Sequence, residues 1–281
     1  MEKTLPAEQR RAFDMALDIA ATPDEVWRAL TEAGELVRWF PMEARVTPGA
    51  GGTMLWNWGD GGAWESRIEV WEPGRRLRLV QDDARPYDTQ GRPLPPGVSE
   101  PARIAMEFTL ETHHGKTRLR LVHSGFGEGA AWDNEIEGIS EGWQAELRSL
   151  RHYLERHRGQ DRYPGRAMLS TSMPRAAAWE RLTGPDGFRV TPSASKEGDA
   201  YSVVTPGGQR FSGTVQLHLQ QQTLAGTVSE LGDGWFRILT WRDGAGDTGV
   251  WAWVSSYGDH REEVDRFRKE AQAGLEGLFG R

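Results

Sequence analysis

Apolar residues recur along this chain in two rhythms. Phe13, Met15, Leu17 and Ile19 alternate with Asp14, Ala16 and Asp18, which predicts a half-buried strand. The period then lengthens: Val26, Leu30, Ala33 and Val37 share one helical face, with Trp27 beside them. Thr22 suits an N-cap and Pro23 a first helical position, while Asp24 and Glu25 favour the positive end of the helix dipole. Gly34 is expected to interrupt this helix. Pro41, which biases Phe40 away from helical geometry, is expected to end the next turn at Trp39-Phe40-Pro41.

Alternation resumes beyond residues 47–53, TPGAGGT, a Gly-rich hairpin connection without the Lys-Ser/Thr of a phosphate loop. Met54, Trp56 and Trp58 share one strand face; after the turn Gly59-Asp60-Gly61-Gly62, Trp64, Ser66, Ile68 and Val70 share the next. Leu77 and Leu79 follow, then Ile104, Met106, Phe108 and Leu110, then Leu119, Leu121 and His123. Residues 82–101 carry Pro86, Pro93, Pro95, Pro96 and Pro101, and predict a long loop, a mobile flap or a partly disordered insertion. Residues 133–156 place Ile136, Ile139, Trp143, Leu147, Leu150 and Leu154 at helical spacing. About six antiparallel strands with one long helix over the apolar face make an α+β two-layer arrangement.

The order then repeats with less material. LSTSMPRAAAWERLTGPDGF (169–188) echoes the first helix, Trp179, Leu182 and Thr183 matching Trp27, Leu30 and Thr31. Strand patterns fall near Phe211–Leu219, Leu224–Leu231 and Trp235–Trp241. DTGVWAWVSSYGD (247–259) overlays KTRLRLVHSGFGE (116–128) at a constant offset of 131, and a last helix at about 260–279 presents Val264, Phe267, Ala271, Leu275 and Leu278. The expected organisation is a first domain at 1–157, a polar linker at 158–166 closed by Pro164-Gly165, and a shortened second domain at 167–281.

Composition narrows the function. A length of 281 residues suits two cores, and 13 Trp with 9 Phe compensate for a hydrophobic content of 37%. The net charge of −7 gives neither half the basic excess that nucleic-acid binding requires. Absence of cysteine excludes disulfides, thiolate catalysis and cysteine-ligated metal. The opening MEKTLPAEQRRAF has no apolar signal-peptide core and no apolar run approaches a membrane span, so a soluble cytoplasmic protein is expected.

Four segments in order, TPDEVWRALTEAGELVRWF, WEPGRRLRL, TRLRLVHSGF and EGWQAELRSLRHYLE, resemble the SRPBCC (START-like, helix-grip) superfamily. Within it they are most similar to the branch named after the activator of the ninety-kilodalton heat-shock protein ATPase. The resemblance covers about residues 12–157; over 166–281 it rests on the internal repeat, as a degenerate copy. It implies two tandem helix-grip domains, each a curved antiparallel sheet wrapped on a long C-terminal helix with a deep cavity between them. Members of the superfamily bind lipids, polyketides, hormones or other apolar molecules, and some are cyclases or dehydratases. No catalytic set and no cofactor follow from the resemblance, and fold alone is a poor warrant for activity.

Strand parity and helix spacing gather Trp39, Phe40, Trp56, Trp58, Trp64, Met106, Phe108, Leu121, His123 and Trp143 as candidates to line a pocket for a small apolar or amphipathic molecule. The alternative is that they only fill a core. His123 lies on an otherwise apolar face, where it either meets a ligand or is satisfied by a nearby carbonyl. No His/Asp/Glu set has the spacing of H-E-x-x-H, so no metal is expected. Glu65, Glu69, Glu107 and Glu111 read as outer-face ladders with Arg67, Arg118 and Arg120, and Asp133, Glu135, Glu137 and Glu141 as a solvated helix start. Ser124 lacks a nucleophile elbow, so no catalytic residue is assigned. Trp251 and Trp253 lie opposite Val250, Ala252 and Val254, which makes both strand faces apolar and predicts packing against the first domain or, in a homodimer, another subunit.

These readings favour a non-catalytic binding module whose second domain is structural or regulatory. A cyclase or dehydratase using His123, and a chaperone-ATPase regulator acting by protein contact, stay open as alternatives.

Overall fold

The structure, a computed structural model, describes residues 11–59, 62–193 and 195–280. Most of the opening segment read for signals, and Asp60 and Gly61 of the expected hairpin turn, lie outside the described residues. The chain divides into two compact units, Met1–Gly159 and Gln160–Arg281.

In the first unit, strand β1 (Ala12–Ile19) leads into helix α1 (Pro23–Thr31) and the short α2 (Ala33–Leu36). Thr22 caps α1, and Glu25 returns the interaction by accepting from the Thr22 backbone N–H at 2.8 Å, which completes a capping box. The break comes at Glu32, in extended conformation, and not at Gly34, which lies inside α2. Six strands follow: β2 (Glu43–Val46), β3 (Thr53–Asn57), β4 (Ala63–Glu72), β5 (Arg76–Ala84), β6 (Ala102–His113) and β7 (Lys116–Ser124). With β1 they make a seven-stranded antiparallel sheet of order β1-β7-β6-β5-β4-β3-β2, and helix α3 (Ala130–Arg156) is the long C-terminal helix.

The outer face carries paired charges, though with other partners than parity suggested. Glu69 accepts from Arg78 and Arg103, Glu107 from Arg76 and Arg78, and Asp14 from Arg120. Residues 85–101 form an ordered loop: Leu94 is buried, Asp88 is bonded to Arg92, and the Tyr87 N–H donates to the Glu135 carboxylate at 3.1 Å. Glu135 therefore ties down a loop, and Glu141 is buried, so the start of α3 is not simply a solvated acidic face.

The second unit has the same architecture. Strands β8 (Arg162–Thr171), β9 (Arg189–Thr191), β10 (Ala200–Val204), β11 (Arg210–Leu219), β12 (Thr223–Val228), β13 (Gly234–Arg242) and β14 (Thr248–Tyr257) form a sheet of order β8-β14-β13-β12-β11-β10-β9. Helix α4 (Arg175–Leu182) follows β8, and α5 (Arg261–Phe279) closes the unit. Both halves are thus α+β helix-grip folds in tandem. The register agrees too: Ser124 pairs with Ala12 and Thr117 with Ile19, as Ser255 pairs with Pro164 and Thr248 with Thr171.

Three strands here, β8, β9 and β10, lie outside the strand patterns read from the sequence, although Tyr201 and Val203 of β10 alternate with exposed Ala200 and Ser202. The segment expected as a linker holds the start of β8 from Arg162 onward. Its Pro164-Gly165 looks like a turn, but β8 is an edge strand, where proline costs no ladder bond. The strand face bearing Trp251 and Trp253 is partly covered from within the unit. The Arg162 guanidinium lies 5.6 Å from the Trp253 ring and that of Arg166 lies 6.0 Å from Trp251, while Trp253 Nε1 donates to Ser255 Oγ at 2.8 Å.

Candidate functional site

The inner face of the first sheet is built by strand parity. Met54 and Trp56 of β3, Trp64, Ser66 and Ile68 of β4, and Leu77 and Leu79 of β5 alternate with outer-face residues. Met106 and Phe108 of β6 and Leu119, Leu121 and His123 of β7 continue the face, with Met106 opposite His123 and Phe108 opposite Leu121. Helix α3 turns Trp132, Ile136, Ile139, Trp143, Leu147, Leu150 and Leu154 toward one side at spacings of three and four.

That helical stripe is covered unevenly. Leu147, Leu150 and Leu154 are buried completely or nearly so, whereas Ile136 and Ile139 keep part of their surface exposed. The stripe is therefore covered less completely at Ile136 and Ile139, which lie between the buried Trp132 and Trp143, than toward the C-terminal end of α3.

Most of the ten candidate residues meet in one aromatic network. Phe40 stacks on Trp39 with ring centroids 4.9 Å apart, and contacts Trp56 at 5.0 Å, Trp58 at 4.9 Å and Trp143 at 5.1 Å. Trp143 also touches Trp56 and Phe108, and Trp58 leads on to Trp64. The half-buried Trp58 and Trp64 form the outer margin, where Tyr87 from the proline-rich loop sits 5.3 Å from Trp64. Burial, with the Glu135 carboxylate as a lesser cause, pushes the Tyr87 phenol up to about 12. Trp39 has a structural role: its Nε1 donates to the Ala29 carbonyl at 2.9 Å, and its own carbonyl accepts from Ser149 at 3.1 Å. Leu121 is fully buried in the floor.

His123 lies outside that network. It is 3% exposed, and its ring meets Phe126 at 4.7 Å. Neither ring nitrogen has a hydrogen-bond partner among the described residues, and Trp56 Nε1 is likewise buried without one. Burial alone lowers the imidazole pKa to about 3, so the ring is neutral at physiological pH. The expectation of a nearby satisfying carbonyl is not met.

Sequence reasoning passed over the group around this histidine. Ala84, Ile104, Phe126 and Trp132 form a small cluster against which Ala102, Ile136 and Ile139 pack. The signal lay in Ser124-Gly125-Phe126-Gly127. Gly125 has φ +86° and a Cβ there would fall 2.3 Å from the Arg103 carbonyl, while a Cβ on Gly127 would strike the Trp132 indole. These two glycines let the chain turn tightly after β7 and bring Phe126 beneath His123.

An antiparallel sheet gripping a long C-terminal helix defines the helix-grip class. Residues 20–155 match the family model described as Activator of Hsp90 ATPase homolog 1-like protein, which supports that SRPBCC branch for the first half of the chain. No curated protein matches the chain. Among solved structures, the chain is similar to protein MLL2253 from Mesorhizobium loti at 22% identity and TM-score 0.44, covering 53% of this chain and 99% of that one. It is also similar to the Aha1 dimer from Colwellia psychrerythraea (21%, TM-score 0.41, 53% and 98% covered). DynU16, a protein in the dynemicin biosynthetic locus, is 18% identical with TM-score 0.41, over 94% of this chain and 95% of that one.

Proposed function

We propose that the first domain is a non-catalytic binding module for a small apolar or amphipathic molecule, held between its sheet and the N-terminal half of α3. The observation that carries this reading is the unevenly covered stripe, in which Ile136 and Ile139 stay part-exposed while Leu147 and Leu150 of the same face are buried. A helix packed only for stability gains by burying the whole stripe, since a partly exposed aliphatic side chain forgoes a fraction of the about 1.5–3 kcal/mol that full burial provides. The nearby aromatic network supplies rigid apolar walls of the kind small-molecule sites use.

Binding is favoured over acid–base catalysis by the state of His123. A buried imidazole with its pKa near 3 is a weak base and holds no proton to donate as a cation near pH 7. The second domain serves a structural role in this reading, because its interior is filled. We place the protein in the cytoplasm, as a chain without cysteine gains no cross-link from an oxidising compartment.

Native mass spectrometry of freshly purified protein tests the binding reading. Extra mass that disappears on denaturation is the expected result. A clean apo mass, together with no uptake of any added apolar probe, would overturn it.

A further inference from the structure

His123 restricts what the ligand can be. A neutral imidazole carries one N–H donor and one lone pair on opposite edges of the ring, and here both are buried and unmatched by the described residues. Its neighbours across the ladder are Met106 and Phe13, its ring contact is Phe126, and the part-exposed Ile136 and Ile139 lie on the helix that covers this face. The inner positions from β3 to β7 and the sheet-facing stripe of α3 include Ser66, Thr117 and His123 but no Lys, Arg, Asp or Glu among the described residues. At the same end of the sheet, the Arg11 guanidinium is already held by the Gly127 carbonyl and the Asp133 carboxylate.

A carboxylate or phosphate entering such a site would lose its hydration with no counter-charge to replace it, and an ammonium group would fare no better. An uncharged oxygen suffers far less and can pair with the histidine. Resting on the binding reading above, we propose that the first domain selects an uncharged ligand bearing a hydroxyl or carbonyl oxygen. That oxygen hydrogen-bonds to His123, while the hydrocarbon body lies along Met106, Ile136 and Ile139. The site then discriminates against fatty acids and other anionic amphiphiles of the same size.

Three probes on one skeleton test this in the full-length protein near neutral pH: anthracene, 9-anthracenemethanol and 9-anthracenecarboxylate, each titrated by energy transfer from tryptophan. The alcohol should bind about tenfold more tightly than the hydrocarbon, as one well-placed buried hydrogen bond provides, and the carboxylate more weakly than either. In His123→Leu the alcohol's advantage over anthracene should vanish, anthracene should bind undiminished, and the melting temperature should rise because an unmatched polar group has been removed. His123→Met provides the same comparison if the leucine variant does not fold, and His123→Gln should keep part of the preference for the alcohol. A carboxylate that binds as well as the alcohol, or an alcohol preference that survives in His123→Leu, would overturn the inference while anthracene binding upheld the module itself. If none of the three binds, the binding reading and the inference fall together.

Discussion

The two halves of this chain build one architecture and use its interior differently. In the first, the position on β7 opposite Met106 is His123; in the second, the position that overlays it on β14 is Val254, opposite Phe236. Val254 and Phe236 are completely buried, and Phe188, Phe211, Phe236 and Phe267 pack ring against ring at 6.0–6.4 Å. The polar atom of Tyr201 is answered, its hydroxyl donating to the Thr227 carbonyl at 2.9 Å. Nothing of the kind answers His123. The comparison teaches that the same frame holds either an all-apolar inward position or a buried polar one at the same place on its strand.

Exchanging those positions gives the sharpest test. Val254→His should destabilise the second domain by about 3 kcal/mol or more, because the larger polar ring enters a filled core with no partner. Urea unfolding measures this, and a cost below about 1 kcal/mol would mean that the second interior has room after all.

A smaller contrast lies within α3. Leu147→Ala should cost about 2–5 kcal/mol as a sealed core position. Ile139→Ala should cost about 1 kcal/mol, since its surface is already part-exposed. Equal losses in denaturant unfolding would show a uniformly closed seam and remove the distinction between the two domains.

A further contrast is a dependence on pH that His123 gives to the first domain. The native pKa of His123 lies below the unfolded value near 6.5, so the unfolded chain takes up the proton first. Its contribution to stability is full above that value and is lost as pH falls from about 6.5 toward 3. The slope from this one group is at most about 1.4 kcal/mol per pH unit. His123→Leu, already the more stable near neutral pH, should therefore gain further on the native protein with acidification. A pH-independent difference would place a proton-accepting or donating partner beside the imidazole.

Legibility in the sequence followed local order. Alternation exposed β1, β3 to β7 and β11 to β14, and the Thr22-Pro23 start of α1 was visible because caps act within one turn. β8 stayed hidden because Pro164-Gly165 reads as a turn wherever the strand's place at the sheet edge is unknown. β9 spans only three residues, too few for a period. Glu141 looked solvated because the charge of a helix face says nothing about what covers it.

Period, turn chemistry and the 131-residue overlay determined that this chain repeats an order of strands closed by a long helix, and which strand residues of the first half face inward. These are properties of neighbours along the chain, where a period of two or 3.6 assigns sides without reference to anything distant. Tertiary structure alone decided that α3 buries Leu147 and Leu150 fully but Ile136 and Ile139 only in part, and that His123 is buried yet unmatched among the described residues. Whether a side chain that points inward meets a partner depends on curvature and packing between segments more than a hundred residues apart, which no local pattern encodes.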